Sequence, residues 1–456
     1  MLNDPIKHII VLALENRSFD HVLGGLGAAI TGLDGVDGSN PRSLKDHQGN
    51  AYAQQPSASY ALNYDPKHEL EHVLHQLENN NAGFVEDFSR AYPLSQPADR
   101  QEIMNYFADG KLPAIHTLAK SFGVCNRWFS SVPGPTWTNR FFLHSGTSIG
   151  RVAMPEGLLD ANLHWYDQTT LYDRLNERNV SWRIYYGDIP QSLMLVHQME
   201  PENVRNYCKM RQFYMDAAGD ETKFPSYCFI EPAYYQPGAN DDHPPHDMAE
   251  GEKLVAEVYN ALRSNGELWN SCLLIVLCDE HGGFYDHVTP PAAVPPDHYV
   301  QEYSFTQLGV RVPAILISPF VAKGVINTQF DHTSILRYAS DKWNLGPLGA
   351  RVENAASIVS ALVKNARMDT PQTLPMPAPD AAVTNQYGQL GGRTQGSLNE
   401  HQSALVGMTQ LLESMTDVAE NTLMGRIKRM ITGFDGVTDV AIERVEDFLD
   451  QRKSKT

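Results

Sequence analysis

The sequence has no long apolar run. The two longest, Ile9 to Leu14 and Cys272 to Cys278, fall far short of the roughly 20 residues that cross a bilayer, so no transmembrane segment is expected. Nor is a secretory leader expected. The start, MLNDPIKHIIVLALENRSFD, carries an apolar stretch of six residues that runs straight into Glu15 with no small-residue cleavage site, and it reads as a strand. Cysteine is scarce. The five residues at 125, 208, 228, 272 and 278 form no CxxC pair, which argues against a disulfide framework and a structural zinc site. The chain is therefore expected in the cytoplasm, or exported without a cleaved signal. Basic charge is in deficit: 36 Lys and Arg stand against 54 Asp and Glu, a formal net charge of −18. A nucleic-acid duplex repels such a chain at long range, so nucleic acid is not an expected partner.

What is present is enough apolar material for a large core. Apolar residues make up 42% and charged residues 20% of 456 positions. Residues 6–14 are mostly apolar and rich in β-branched side chains, and residues 272–278 are fully apolar, as expected of strands buried on both faces. Further strands are expected at 180–186, 227–231 and 313–318, and helices at 68–78, 169–179, 247–265 and 332–344. Strands alternating with helices predict an α/β fold: a three-layer α/β/α sandwich around a mostly parallel sheet. Residues 366–398 hold four prolines and four glycines and read as a linker or arm. The expected plan is a catalytic domain over 1–365, that linker, and a small C-terminal helical appendage over 399–456.

Chemistry concentrates where strands end. The first strand runs into Glu15-Asn16-Arg17-Ser18-Phe19-Asp20, and the strand 272–278 into Asp279-Glu280-His281-Gly282-Gly283. Open parallel sheets bind ligands at the carboxyl ends of their strands. Glu15, Asn16, Asp279 and Glu280 would offer four oxygen ligands, three of them anionic, and like charges packed together need a cation between them. The alternative is a set of ordinary strand-end polar residues. In Ser131-Val132-Pro133-Gly134-Pro135-Thr136, a rigid turn delivers Thr136 to the start of a helix. A hydroxyl there is well placed to receive a phosphoryl group, because the helix N-terminus favours anions. Plain N-capping is the alternative. His68, His243 and His246 stand just before helices in DPKH and NDDHPPHD, and imidazole can hold a phosphoryl oxygen or protonate a leaving group. Asp247 reads equally well as a helix cap.

These segments together resemble the phosphoesterase family of phosphatidylcholine-preferring phospholipases C and related acid phosphatases. The matching pieces are ENRSFDH at 15–21, DPKH at 65–68, PGPTWTNRFF at 133–142, NDDHPPHD at 240–247 and DEHGGFYDHV at 279–288. The resemblance covers residues 1–345 and leaves out the tail. It implies an alkaline-phosphatase-like fold, with Glu15, Asn16, Asp279, Glu280 and Thr136 around a divalent metal ion. It also implies Thr136 as nucleophile and His68, His243 and His246 in the phosphate pocket. Asn139, Asp247 and His281 are the candidate substrate-binding residues. Threonine rather than serine at 136 points to the phospholipase C branch. Thr138 stands where relatives carry proline. Oxygen ligands suit hard ions, and some relatives are described as zinc-dependent, so Zn²⁺ or Ca²⁺ is expected ahead of Mg²⁺ or Mn²⁺.

The implied reaction is in-line attack on phosphorus by Thr136, protonation of the leaving alcohol by a histidine, and hydrolysis of the phosphothreonine by water. The expected substrate is a phosphatidylcholine-type phospholipid, giving diacylglycerol and phosphocholine, with a broad acid phosphatase as the alternative. A sulfatase would need a modifiable Cys or Ser in a C/S-x-P-x-R context, which PGPTWTNR does not supply. In the tail, Leu423, Met424, Ile427, Ile431 and Phe434 fall on one helical face, with Arg426, Lys428 and Arg429 around the rest. Such a stretch could make peripheral membrane contact, or it could pack on the catalytic domain or a second subunit.

Overall fold

Two apolar strands set the centre of the molecule. His8–Leu14 and Cys272–Cys278 are buried at all positions and lie parallel, His8 opposite Cys272 and Leu14 opposite Cys278. The structure is a computed structural model and describes residues 4–154, 166–235, 238–377, 398–415 and 434–454. The two strands are the middle of an eight-stranded sheet, in the order Gly324–Ile326, Gly123–Cys125, Ala314–Ile317, Cys272–Cys278, His8–Leu14, Tyr227–Glu231, Trp182–Tyr186, Tyr207–Lys209. All pairings are parallel except those of Ala314–Ile317, which runs antiparallel to both neighbours. A four-residue apolar run carries no sign of its direction, so only the connection decides it.

Helices pack in two groups. Met248–Ser264 touches Pro113–Ser121 and Met210–Ala217, and Thr136–Ser145 touches Leu171–Glu177 and Thr333–Trp343. Since the central strands bury every side chain, both sheet faces are covered, and the expected α/β sandwich is present. Local signals explain the helix ends. Asp247 caps Met248–Ser264 by accepting from Ala249 N at 2.9 Å, and Thr170 and Asp173 form a capping box at Leu171–Glu177.

The C-terminal helices Glu400–Ser414 and Phe434–Ser454 pack on each other. Ala404, Leu405, Met408 and Leu412 from the first, and Ala441, Val445, Phe448 and Leu449 from the second, belong to the same buried cluster as the sheet. Residues 366–377 run along Met248–Ser264, where Tyr259 Oη donates to Pro371 O at 2.6 Å and Leu374 N–H to Asn260 Oδ1 at 2.7 Å. The basic amphipathic stretch read at 418–434 falls almost wholly outside the described residues. Among the described residues no helix is long and apolar enough to cross a membrane.

Candidate active site

The polar clusters at the ends of the two central strands meet. Pairing continues past the strands, with Asp279 N–H donating to Leu14 O and Arg17 N–H to Glu280 O, each at 3.0 Å. Asn16 adopts a left-handed φ of 58°, which asparagine tolerates better than most side chains. Gly282 and Gly283 have φ of 61° and 74°. A Cβ on Gly282 would stand 2.2 Å from Asn16 O, and one on Gly283 2.7 Å from Pro66 Cβ. The diglycine therefore lets the second acidic cluster close on the first and on the loop that carries His68.

Thr136 is the first residue of the helix Thr136–Ser145, which is buried throughout. Its Oγ1 donates to Asn16 Oδ1 at 3.2 Å, and Asn16 N–H donates to Asp279 Oδ1 at 3.3 Å. One turn along, Arg140 is buried between the carboxylates. Its Nε donates to Asp279 Oδ2 at 2.8 Å, and Nη2 lies 3.1 Å from Glu15 Oε1. Burial raises the pKa of both Glu15 and Asp279; Arg140 opposes this, and the neighbouring carboxylates add to it. Glu15 Oε2 and Glu280 Oε1 are buried without a hydrogen-bond partner, and Glu15 Oε1 has the Arg140 guanidinium beside it. Orphaned anionic oxygens beside the Asn16 carbonyl and the Thr136 hydroxyl are the donor set a divalent cation takes, so the residues fit a metal ion. A second convergence, Asp20, Asp286 and His287, offers one ligand atom each within 4.8 Å. There the Arg311 guanidinium already reaches Asp20 Oδ1 and Asp286 Oδ1, each at 3.1 Å, so a protein cation does the neutralising.

The histidines surround these groups. Asn16 Nδ2 lies 3.4 Å from His68 Nε2, and the His68 and His243 rings are 5.7 Å apart. Burial pulls the His68 pKa down, but Glu280, Asp65, Glu69 and Glu400 outweigh it and leave it at about 10. Donation from Asn16 describes a neutral ring, whereas those acids favour the charged one; a dication at the acids would cancel much of their pull. His246 donates from Nδ1 to Asp241 Oδ1 at 2.6 Å, a buried carboxylate–imidazole pair. His243 Nε2 is buried without a hydrogen-bond partner.

Three residues expected at the substrate have other occupations. Asn139 Oδ1 accepts from Val132 N at 3.0 Å and its Nδ2 donates to Gly134 O at 2.8 Å, so its amide holds the Pro-Gly-Pro turn that delivers Thr136. Asp247 caps a helix. His281 lies between Gln76 Oε1 at 2.8 Å and Glu280 Oε2 at 3.2 Å, where it orients Glu280. Thr138 Oγ1 donates to Val152 O at 3.0 Å.

Sequence reasoning missed several members. Arg140 sits four residues after Thr136, a spacing that puts both on one helix face; that spacing was its only signal. His332 Nε2 donates to the main-chain oxygen of Asp279 at 2.5 Å. From the C-terminal helix, His401 Nε2 lies 3.7 Å from Glu15 Oε1, and burial holds its pKa well below the ordinary value. Gln402 Nε2 lies 3.4 Å from His246 Nε2. An Asn399–Gln402 capping box marks the helix start in the sequence but says nothing of where that start docks.

The model of the Phosphoesterase family matches residues 6–346. Non-specific phospholipase C6 of Arabidopsis thaliana is 36% identical over 427 residues, spanning 85% of this chain and 79% of the relative. Non-specific phospholipase C3 of Arabidopsis thaliana is 34% identical over 408 residues, 81% of this chain and 76% of the relative. Hemolytic phospholipase C of Pseudomonas aeruginosa is 28% identical over 410 residues, 75% of this chain and 53% of the relative. Among solved structures the chain is similar to the phosphonate monoester hydrolase of Agrobacterium radiobacter, at 9% identity and TM-score 0.37, covering 80% of this chain and 79% of that one. A likeness that faint adds nothing to the strand order above. The chain belongs to the phosphoesterase family and is a hydrolytic enzyme.

Proposed function

We propose that the chain is a metal-dependent phosphodiester hydrolase of the phospholipase C type, acting on phosphatidylcholine-like phospholipids through a phosphothreonine intermediate. The observation that carries the reading is the contact of Thr136 Oγ1 with Asn16 Oδ1 at 3.2 Å, which aims a helix-start hydroxyl at the strand-end acids. The identity with the plant non-specific phospholipases C supports the lipid substrate.

A divalent cation held by Glu15, Asn16, Asp279 and Glu280 would supply electrostatic stabilisation of the nucleophile and of the charge on the phosphoryl oxygens. The residues do the rest. Thr136 releases its hydroxyl proton to solvent and attacks phosphorus in line, the bond to the leaving alcohol oxygen breaks, and Thr136 takes a proton back when water cleaves the phosphothreonine. The unpaired backbone N–H groups of the first helical turn face the phosphoryl oxygens. Arg140 keeps Glu15 and Asp279 ionised and apart. His68 and His243 line the phosphoryl pocket. His246, oriented by Asp241, gives a proton from Nε2 to the leaving oxygen and takes one from the water that hydrolyses the phosphothreonine. Arg140 offsets one of the three carboxylates and a dication the other two, so charge alone does not select a diester over a monoester. That preference rests on the relatives.

The test compares p-nitrophenylphosphorylcholine with p-nitrophenyl phosphate, and follows phosphocholine release from phosphatidylcholine vesicles. Faster diester cleavage with phosphocholine release is expected. Faster monoester cleavage would assign the site to an acid phosphatase instead.

A further inference from the structure

The helix Glu400–Ser414 begins at the active site and is locked there. Asn399 Oδ1 accepts from Gln402 N at 2.7 Å, and Gln402 Nε2 donates to Tyr234 O at 2.6 Å. Lys67 Nζ ties Glu400 Oε1 at 2.6 Å to Glu69 Oε1 at 2.8 Å, beside the loop that carries His68. The second residue of this helix, His401, is 1% exposed, and neither of its ring nitrogens has a hydrogen-bond partner. Leaving a buried polar group idle is costly, so a side chain held this firmly calls for a ligand.

Its surroundings define which ligand. The ring lies against Tyr234, with centroids 4.5 Å apart, and Nε2 is directed towards Glu15 Oε1 at 3.7 Å, beyond hydrogen-bond reach. Glu15 Oε1 is already engaged by Arg140 at 3.1 Å. A metal-ligating imidazole almost always passes its other N–H to a carboxylate or carbonyl, and His401 Nδ1 has no such acceptor. A ring that donates from Nε2 leaves only the weaker loss, an unused acceptor at Nδ1.

We propose that His401 is a substrate-contacting residue, donating from Nε2 to a non-bridging phosphoryl oxygen of the bound phosphoester. This rests on the phosphoesterase reading of the same site. It brings a fourth imidazole to the pocket from a part of the chain that the family match does not cover.

The experiment uses the full-length, metal-loaded protein. His401→Leu and His401→Met remove the donor, and His401→Gln keeps an N–H. Binding of inorganic phosphate is measured by calorimetry, beside turnover of p-nitrophenylphosphorylcholine, metal content and the unfolding midpoint. A hydrogen bond to a charged group predicts that Leu and Met weaken phosphate binding by about 10-fold to 100-fold. Gln should recover part of that loss, with metal content and midpoint unchanged in all three. Unchanged phosphate affinity in a folded Leu or Met variant would overturn the assignment. So would loss of the metal ion, which would make His401 a metal ligand, or a drop in midpoint that tracks the loss equally in Gln. If the wild type binds phosphate but turns over no phosphoester, the enzymatic reading fails by itself and the binding result still judges His401.

Discussion

Thr136 Oγ1 donates to Asn16 Oδ1 across 3.2 Å, joining side chains 120 positions apart in the sequence. One closes a parallel strand and the other opens a buried helix, so the contact depends on the sheet and that helix being docked together.

Thr136→Ala is expected to lower kcat by at least about 1,000-fold, as loss of a covalent nucleophile does. The fold should survive, because the change removes one hydrogen bond and a methyl group. Thr136→Ser should retain partial activity. The check is steady-state turnover beside the far-ultraviolet circular dichroism spectrum; an alanine variant with a tenth of wild-type rate would remove Thr136 from the mechanism.

Glu15→Gln and Asp279→Asn should each lower metal content and activity together, since each removes a charge from the ion's shell. Chelation of the wild type should lower activity and the unfolding midpoint, and the right ion should restore both. Elemental analysis of each protein decides it, and a full complement of metal in both variants would show the ligand set to be wrong.

Arg140→Met should destabilise the metal-free protein by about 3–5 kcal/mol, the usual effect of stranding buried charges after one partner is removed. The partners stranded are Glu15 and Asp279. Added divalent ion should recover part of the loss, because it neutralises the same carboxylates. Denaturant unfolding with and without metal measures both effects.

Gly282→Ala is expected to cost activity more than its size would indicate. The new Cβ would stand 2.2 Å from Asn16 O, and the φ of 61° disfavours any side chain. The turn must shift off Asn16 and carry Glu280 with it. A drop in both metal affinity and unfolding midpoint is the expected result, whereas wild-type values for both would show that the close approach is dispensable.

Acid should destabilise the fold through His116 and His144. His116 accepts from Gly110 N at 3.0 Å and donates to Val22 O at 2.9 Å, an arrangement only the neutral ring can make. Burial lowers its pKa to about 4 and that of His144, beside Arg140, to about 3. The unfolded rings titrate near 6.5. Below that pH the unfolded chain takes up protons that the folded one refuses, so the contribution is complete above about pH 6.5 and falls away towards pH 4. Unfolding free energy should decline across that window by at most about 1.4 kcal/mol per pH unit for each ring. His116→Gln should flatten the slope.

Features that depend on local pattern were legible in the residues alone. The apolar runs Ile9–Leu14 and Cys272–Cys278 marked the two central strands, and the abrupt change to Glu15-Asn16 and Asp279-Glu280 marked their ends, because the interior of a strand buried on both faces disfavours polar side chains. The start of Met248–Ser264 was legible through Asp247, whose side chain caps a backbone group two residues away. The tertiary structure alone decided the rest. Four apolar residues at Ala314–Ile317 carry no sign of strand direction. The use of Asn139 on its own turn, of His281 on Glu280 and of Arg140 between two carboxylates follows from which groups are left unpaired once the sheet is buried. His401 lies beside Glu15 because a C-terminal helix docks on the strand ends, and a capping box records where a helix starts but not what it starts against.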